Sequence, residues 1–305
     1  MFKSASIYRI GSGWIPDATK VEAALAEAAF VPCGPTQLRS TGWTEPRGKA
    51  HGALLESVAG QWILKVMTEK KDLPGSVVAQ AVQERLLAIE ENEGRKVGKK
   101  ELREIKESVT LELLPKAFAK RSAVSVWIDP SAGLLVIDST SSASTDTILT
   151  MLVKAIDGFA VSAINTTHSP AGAMSGWLTA KEIDENFDFG GECELEASDE
   201  GKASVKYARH RLDIEEIGQH IVREGKSPKA LALVWSDRVG FVLNKALQLK
   251  KIKMIEDVME AETAGSGDTD PFDANVAIFT GEFSRLIPHL IGVLGGEVVI
   301  GADLM

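Results

Sequence analysis

Two apolar runs in the last third of the chain restrict the fold most strongly. They are ALALVW at 230–235 and RVGFVL at 238–243, and only a Ser-Asp dipeptide separates them. A polar connection this short between two β-rich runs is typical of an antiparallel hairpin. A second pair, VSVWID at 124–129 and GLLVID at 133–138, has the same form around a Pro-Ser-Ala-Gly turn. The chain is therefore expected to contain antiparallel sheets.

The other elements follow from the spacing of apolar residues and from the positions of Gly and Pro. Strands are predicted at 2–10, 61–67 and 275–280, helices at 17–29, after Pro74, at 99–114, at 146–156, after Leu212 and at 282–296, and loops at 31–52 and 165–176. Strands in hairpins and helices in groups indicate an α+β fold rather than a regular alternation of strand and helix.

The two helices after Pro74 are joined by the polar, Gly-punctuated ENEGRKVGKK, so they are predicted to form a projecting helical hairpin. We expect residues 1–75 to be the N-terminal α/β part of a central body and 76–121 to be the helical projection. Residues 122–305 are then the remaining α+β body, with a loop boundary near 165–176.

Nothing in the sequence points to secretion or to a membrane. The first residues contain no apolar stretch long enough for a signal peptide, and no apolar run is judged to approach a membrane span. Two cysteines, Cys33 and Cys193, are too few for a disulfide framework. These features favour a cytoplasmic protein with reduced thiols.

The familiar motifs of enzyme active sites are missing from the sequence. GWTEPRGK at 42–49 differs from a phosphate-binding loop because five residues separate its glycines and Ala50 replaces the Ser or Thr. The five histidines have no metal-binding spacing, and no GxSxG sequence is present. We therefore expect no catalytic residue, no metal and no cofactor, and hence a protein that is not an enzyme.

Carboxylates leave one catalytic alternative open. Asp268, Asp270 and Asp273 lie together in GSGDTDPFD, and paired acids of this kind can bind magnesium for phosphodiester hydrolysis. A solvated loop before the next element explains the same residues more simply. Glu192, Glu194 and Glu196 alternate, so they are expected on the exposed face of a strand, which needs no metal.

Charge is distributed unevenly along the chain, although the net charge is only -9. Residues 95–121 carry +5 and residues 201–253 carry +7, whereas residues 122–200 carry -11 and residues 254–305 carry -9. A single basic run is most simply a solvated surface. Two such runs in an acidic chain favour a shared surface for a polyanion.

In the first run, Lys99, Arg103 and Lys106 share one side of the predicted helix, while Glu101 and Glu104 point elsewhere. This strip is therefore expected to keep its positive charge. The candidate phosphate-binding residues are Lys99, Lys100, Arg103, Lys106, Lys116, Lys120, Arg121, Lys206, Arg209, His210, Arg211, Arg223, Lys226 and Lys229, with Lys245, Lys250, Lys251 and Lys253 extending the second run. Aromatic residues make up only 6% of the chain, which favours contact with a duplex backbone over base stacking.

Several stretches resemble RdgC, the bacterial family of recombination-associated proteins. They are FKSASIYRI at 2–10, FVPCGPTQLRSTGWTEPRG at 30–48, LLPKAFAKRSAVSVWID at 113–129, LDIEEIGQHIVREGK at 212–226, LALVWSDRVGFVL at 231–243 and FTGEFSRLIPHLIGVLGGE at 279–297. The resemblance runs from one end of the chain to the other. Its most specific parts are the Pro-Cys-Gly loop that ends in Gly-Trp and the Gly-Glu to Leu-Gly-Gly-Glu pattern near the C-terminus.

The resemblance implies a homodimer that closes into a ring around double-stranded DNA and binds it without sequence preference. It also implies association with the nucleoid and restraint of RecA-promoted strand exchange. Phe118 matches the family in the segment that carries a dimer contact. In the same segment, a relative has a bulky aromatic residue at the position of Arg121 in this chain. Relatives place basic and polar residues near DNA at the positions of Arg209 and His210.

Two other readings remain open at this stage. The family has also carried an exonuclease label, which agrees with a magnesium-dependent nuclease using Asp268 and Asp270. An acidic scaffold that binds other proteins through the helices at 76–114 would account for the composition without DNA.

Overall fold

The computed structural model describes residues 2–199, 201–255 and 270–298. The strands are β1 (Ala5–Ile10), β2 (Arg39–Thr44), β3 (Leu55–Val58), β4 (Gln61–Asp72), β5 (Phe118–Asp129), β6 (Leu134–Ile137), β7 (Val161–Ala163), β8 (Phe187–Ala197), β9 (Ser204–Ala208), β10 (Lys226–Trp235), β11 (Val239–Asn244) and β12 (Gln248–Met254). The helices are α1 (Ala18–Glu27), α2 (Gly75–Glu93), α3 (Lys99–Leu113), α4 (Ser142–Ala155), α5 (Pro170–Ala180), α6 (Glu215–Val222) and α7 (Pro271–Val293). The α+β class with antiparallel strand pairing is confirmed.

The chain forms two compact units. Unit 1 comprises Met1–Val21, Leu55–Leu64 and Ser125–Met305, and unit 2 comprises Glu22–Leu54 and Lys65–Val124. Strands β4 and β5 contribute residues to both units. The division of the chain at residues 75 and 121, the projection of the helices and the ring-forming homodimer stay predictions.

The sheet of unit 1 has its first strand in the interior. β1 lies between β6 and β12, with Ser6 opposite Ile137 and Ala5 opposite Leu249. From β12 the order continues through β11, β10 and β8 to β9. The predicted hairpin is β10 and β11, and Ser236 and Asp237 in its turn both adopt positive φ angles, as a tight hairpin turn requires.

Helix α7 packs on the apolar face of this sheet. Phe2 stacks on Phe279 with ring centroids 4.4 Å apart, and Phe279 stacks on Phe283 at 4.2 Å. By length and composition alone α7 could cross a membrane, so the expectation that no apolar run approaches a membrane span is wrong at that level. Its apolar residues instead line the core of unit 1, and burial in a core explains the composition.

The strand predicted at 275–280 is wrong, because these residues belong to α7. A continuous apolar run fits both a buried strand and a buried helix, so its pattern does not separate the two. The helix begins at Pro271, and Asp270 caps it by accepting a hydrogen bond from the Phe272 N–H at 2.9 Å. The loop predicted at 165–176 is also wrong over its second half, where α5 begins at Pro170 after the capping Ser169.

Unit 2 contains a strand where a loop was expected. β2 lies inside the stretch 31–52, and it pairs with β4 from Arg39 opposite Lys70 to Thr44 opposite Lys65. Gly42 had indicated a loop, but it serves close packing instead. A Cβ atom at that position would lie 2.5 Å from the Cα atom of Phe30.

The two helices predicted after Pro74 are confirmed as α2 and α3. Pro74 precedes α2, and Gly94 ends it in a left-handed conformation. Val78 and Val82 of α2 pack against Val109 of α3 in a small apolar cluster. This contact leaves the opposite side of α3 to polar residues.

Candidate nucleic-acid interface

The first basic run lies on α3, in unit 2. Lys99, Lys100, Arg103 and Lys106 are all exposed. Arg103 forms an ion pair with Glu107, whose Oε1 is 3.1 Å from the arginine Nε. The expectation that the strip is not neutralised is therefore wrong for Arg103, because Glu107 lies one turn further along the helix and pairs with it. For each of the three lysines, no carboxylate of the described residues lies within 4 Å.

The chain beyond α3 carries the predicted contact residues Lys116, Phe118, Lys120 and Arg121. A 3-10 turn at Leu114–Lys116 leads into β5, whose first six residues are exposed. Phe118 is 88% exposed, which is unusual for a large aromatic side chain. Lys116 and Lys120 lack a carboxylate within 4 Å in the part of the chain that the structure describes.

Arg121 is engaged inside unit 2. Its Nε donates a hydrogen bond to Oε2 of Glu69 at 2.6 Å, and its guanidinium lies 5.6 Å from the ring centroid of Phe30. Glu69 also accepts a hydrogen bond from the Cys33 N–H at 2.8 Å. The hydrogen bond from Arg121 lowers the pKa of Glu69. Arg121 thus orients the Glu69 carboxylate that binds the Pro-Cys-Gly loop to β4, a role that the sequence did not reveal.

The second basic run begins beside β9 in unit 1. Arg209 adopts a positive φ angle of 54° and stands next to Gly191, whose carbonyl oxygen accepts a hydrogen bond from the His210 N–H at 3.1 Å. Arg211 pairs with Asp213 at 2.5 Å. This hydrogen bond lowers the pKa of Asp213. The three basic residues line a groove of about 490 Å³, so the structure brings them together.

The later residues of this run differ in their partners. Arg223 is exposed directly after α6, with no carboxylate of the described chain within 4 Å. Lys226 is mostly buried and pairs with Glu224. Lys229 lies 2.7 Å from Oε1 of Glu194. Lys226 and Lys229 are therefore already occupied by carboxylates.

The glutamates of β8 are confirmed on the outward face of a strand, and the structure adds their partners. Glu192 pairs with Lys251, and Glu196 lies 3.4 Å from both Lys229 and Lys245. The hydrogen bond from Lys251 lowers the pKa of Glu192, and that from Lys229 lowers the pKa of Glu196. The acidic segment and the second basic run are separate in sequence, but within unit 1 they interleave on one surface.

The acids of the nuclease alternative are divided by the structure. Asp268 lies outside the described residues, and Asp270 caps α7 as described above. Asp273 lies in the first turn of the same helix. Within residues 2–199, 201–255 and 270–298, no group of three His, Cys, Asp or Glu side chains is arranged to hold a metal ion. The two cysteines are free thiols, and burial raises the pKa of Cys193 to about 12.

Comparison with known proteins gives a consistent result. A family model described as "Putative exonuclease, RdgC" matches residues 1–297. The chain is 38% identical over 298 residues to the recombination-associated protein RdgC of Janthinobacterium sp. (strain Marseille), covering 97% of this chain and 98% of the relative. It is 40% identical over 297 residues to the protein of the same name from Cupriavidus pinatubonensis, with the same coverage. The protein of that name from Dechloromonas aromatica is 38% identical over 302 residues, or 98% of each chain.

Proposed function

The chain belongs to the RdgC family of recombination-associated proteins, and from this premise we propose that it binds double-stranded DNA without sequence preference. We further propose that it acts as a ring-shaped homodimer that encircles the duplex in the nucleoid. By occupying the DNA backbone, the ring restrains RecA-promoted strand exchange. No covalent bond is made or broken in this activity.

The observation that carries the proposal is a set of exposed cations that the protein itself leaves unpaired. None of them has a carboxylate within 4 Å among residues 2–199, 201–255 and 270–298. They are Lys99, Lys100, Lys106, Lys116 and Lys120 in unit 2 and Lys206, Arg209, Arg223, Lys250 and Lys253 in unit 1. Unpaired cations of this kind bind phosphates with release of counterions, whatever the base sequence.

The proposed dimer contact rests on Phe118. Phe118, the first residue of β5, is 88% exposed, and covering its ring with a partner would lower the free energy by removing apolar surface from water. We expect Phe118→Ala to shift the protein towards monomers in light scattering after size exclusion. Phe272→Ala, at the start of α7, would disturb the core instead and serves to separate a loss of fold from a loss of dimer.

A salt titration of duplex binding tests the main proposal. Replacing Lys206 and Arg209 by Gln removes two unpaired cations. The negative slope of log affinity against log salt should therefore become shallower by about 1.8, or about 0.9 for each contact. Arg211→Gln is the matched control, because Arg211 is already paired with Asp213 and should change the slope less. An unchanged slope in the double variant would remove both residues from the binding surface.

The description of the family model names an exonuclease, so the second candidate is an exonuclease, for which we infer magnesium dependence from the aspartates near α7. Incubating linear duplex DNA with the pure protein and magnesium distinguishes the two functions. The proposal predicts that the DNA stays intact. Metal-dependent degradation that Asp270→Asn abolishes, in a protein that still folds, would establish the nuclease.

A further inference from the structure

The outward face of the unit 1 sheet contains a cavity of about 300 Å³. Its floor includes the small or apolar side chains of Ala230, Val242 and Ala246. Val242 is only 9% exposed although it points away from the main core, because long side chains stand around it. Those side chains are five lysines, namely Lys206, Lys229, Lys245, Lys250 and Lys251.

Three glutamates of β8 hold three of these lysines. Glu192 pairs with Lys251, Glu194 with Lys229 at 2.7 Å, and Glu196 with Lys245 at 3.4 Å. The other two lysines have no carboxylate within 4 Å in the described part of the chain. The surface around the cavity therefore keeps an excess of two positive charges.

The three carboxylates accept hydrogen bonds or ion pairs from the same ammonium groups that could bind phosphate oxygens. A carboxylate and a phosphate both accept short hydrogen bonds from an ammonium group, so they compete for the same lysine. Alternate residues of a strand are about 6.8 Å apart, which places the glutamates as a regular row of anions beside the lysines. The hydrogen bond to Glu194 raises the pKa of Lys229, so this lysine is charged.

We propose that this cavity is a phosphate-binding site and that Glu192, Glu194 and Glu196 occupy its lysines until a phosphate displaces them. The proposal rests on the proposed function, since the duplex backbone is the phosphate that function supplies. A free polyphosphate has the same chemistry. The two unpaired lysines, Lys206 and Lys250, make the first contact with phosphate. The paired lysines bind phosphate only where phosphates are close enough together to displace the carboxylates. The glutamates thereby lower affinity for isolated anions.

The test removes the competing carboxylates and keeps their shape. Glu194→Gln with Glu196→Gln should raise affinity for a blunt duplex of about 30 base pairs by about twofold or more, because Lys229 and Lys245 lose the carboxylates that compete with phosphate. The matched control is Glu93→Gln with Glu112→Gln in unit 2, which changes the net charge equally and frees Arg85, while Arg95 keeps its ion pair with Glu101. Lys250→Gln, which breaks no ion pair, should lower affinity without changing the denaturation midpoint.

The outcomes distinguish failure of the phosphate site from failure of the proposed function. A larger rise for the β8 variant than for the control supports the site, whereas an equal or smaller rise in a protein that binds duplex overturns it and leaves the proposed function standing. If the wild-type protein does not bind duplex at low salt, the proposed function fails. Titration with inorganic pyrophosphate by calorimetry then decides. Tighter binding by the β8 variant keeps the site as one for free phosphates, and no binding overturns it.

Discussion

The carboxylate of Glu282 on α7 binds Arg238 in the turn between β10 and β11, and it also binds Arg285 of its own helix. It is 1% exposed, and it accepts hydrogen bonds from Nε and Nη2 of Arg238 at 2.9 and 2.6 Å. A third comes from Nη2 of Arg285 at 2.5 Å. The sequence stretches WSDRVG and GEFSR, which carry part of the family resemblance, meet at this point. We expect Glu282→Gln to destabilise the protein markedly.

The cost follows from what each substitution leaves behind. Breaking a buried ion pair costs about 3 to 5 kcal/mol when the remaining charge is stranded away from water. Glu282→Gln leaves two arginines whose side chains are 36% and 60% exposed, so water reaches them and the cost falls to about 2 to 3 kcal/mol. Arg238→Gln removes two of the three hydrogen bonds described above and leaves the buried carboxylate with Arg285, so it should cost more, about 3 kcal/mol or above. Arg285→Gln removes only an exposed partner and should cost less than about 1 kcal/mol.

Urea denaturation of the four proteins, followed by circular dichroism, measures this order. The midpoints should fall in the sequence wild type, Arg285→Gln, Glu282→Gln and Arg238→Gln, with unchanged slopes. Two results would refute the reasoning. One is a change below about 0.5 kcal/mol for Glu282→Gln, and the other is an equal loss for the two arginine variants.

Two further predictions concern the stability of each unit. Gly42→Ala should destabilise the protein by about 2 kcal/mol or more, because its Cβ would meet backbone atoms of Ala29 and Phe30. Gly281→Ala lies at an exposed helical position with open space, so it should stabilise the protein by about 1 kcal/mol in the same thermal melt. Hydrogen bonds from lysines lower the pKa of Glu192 and Glu196 below the ordinary 4.5 in the folded protein. Below about pH 4.5 the unfolded chain therefore binds more protons than the folded protein, and the free energy of unfolding decreases as the pH is lowered. Denaturation midpoints at about pH 6 and pH 4 should differ less when both residues are Gln, and an undiminished difference would contradict the assignment.

The sequence was informative where a local pattern decided the structure. The β10–β11 hairpin followed from two apolar runs and a short polar turn, and α2 and α3 followed from helical spacing with Pro and Gly at their ends. It misled where one residue type serves two purposes. Gly42 indicated a loop but allows close backbone packing in β2, and Ser169 with the proline after it marked the start of a helix rather than a loop.

The candidate site was only partly predictable for a different reason. The basic residues could be counted, but their neutralisation depends on which strands are adjacent. Glu192 and Lys251 are 59 residues apart, and Arg121 and Glu69 are 52 apart. Such pairs are fixed by the order and register of β8, β10, β11 and β12, or of β4 and β5, and no local pattern encodes them. The net charge of each sequence segment therefore overestimated how far acidic and basic side chains are separated in the folded protein.

The interior position of β1 has a consequence for how the protein is made. Ala5 faces Leu249, and Phe2 stacks on Phe279, so the N-terminal strand finds its partners only among residues synthesised much later. Contacts this distant in sequence form slowly, and the waiting strand exposes unpaired backbone and apolar side chains. A nascent chain that has not yet reached α7 therefore lacks the helix that covers the apolar face of this sheet. The helix that closes unit 1 acts as the final step of its assembly.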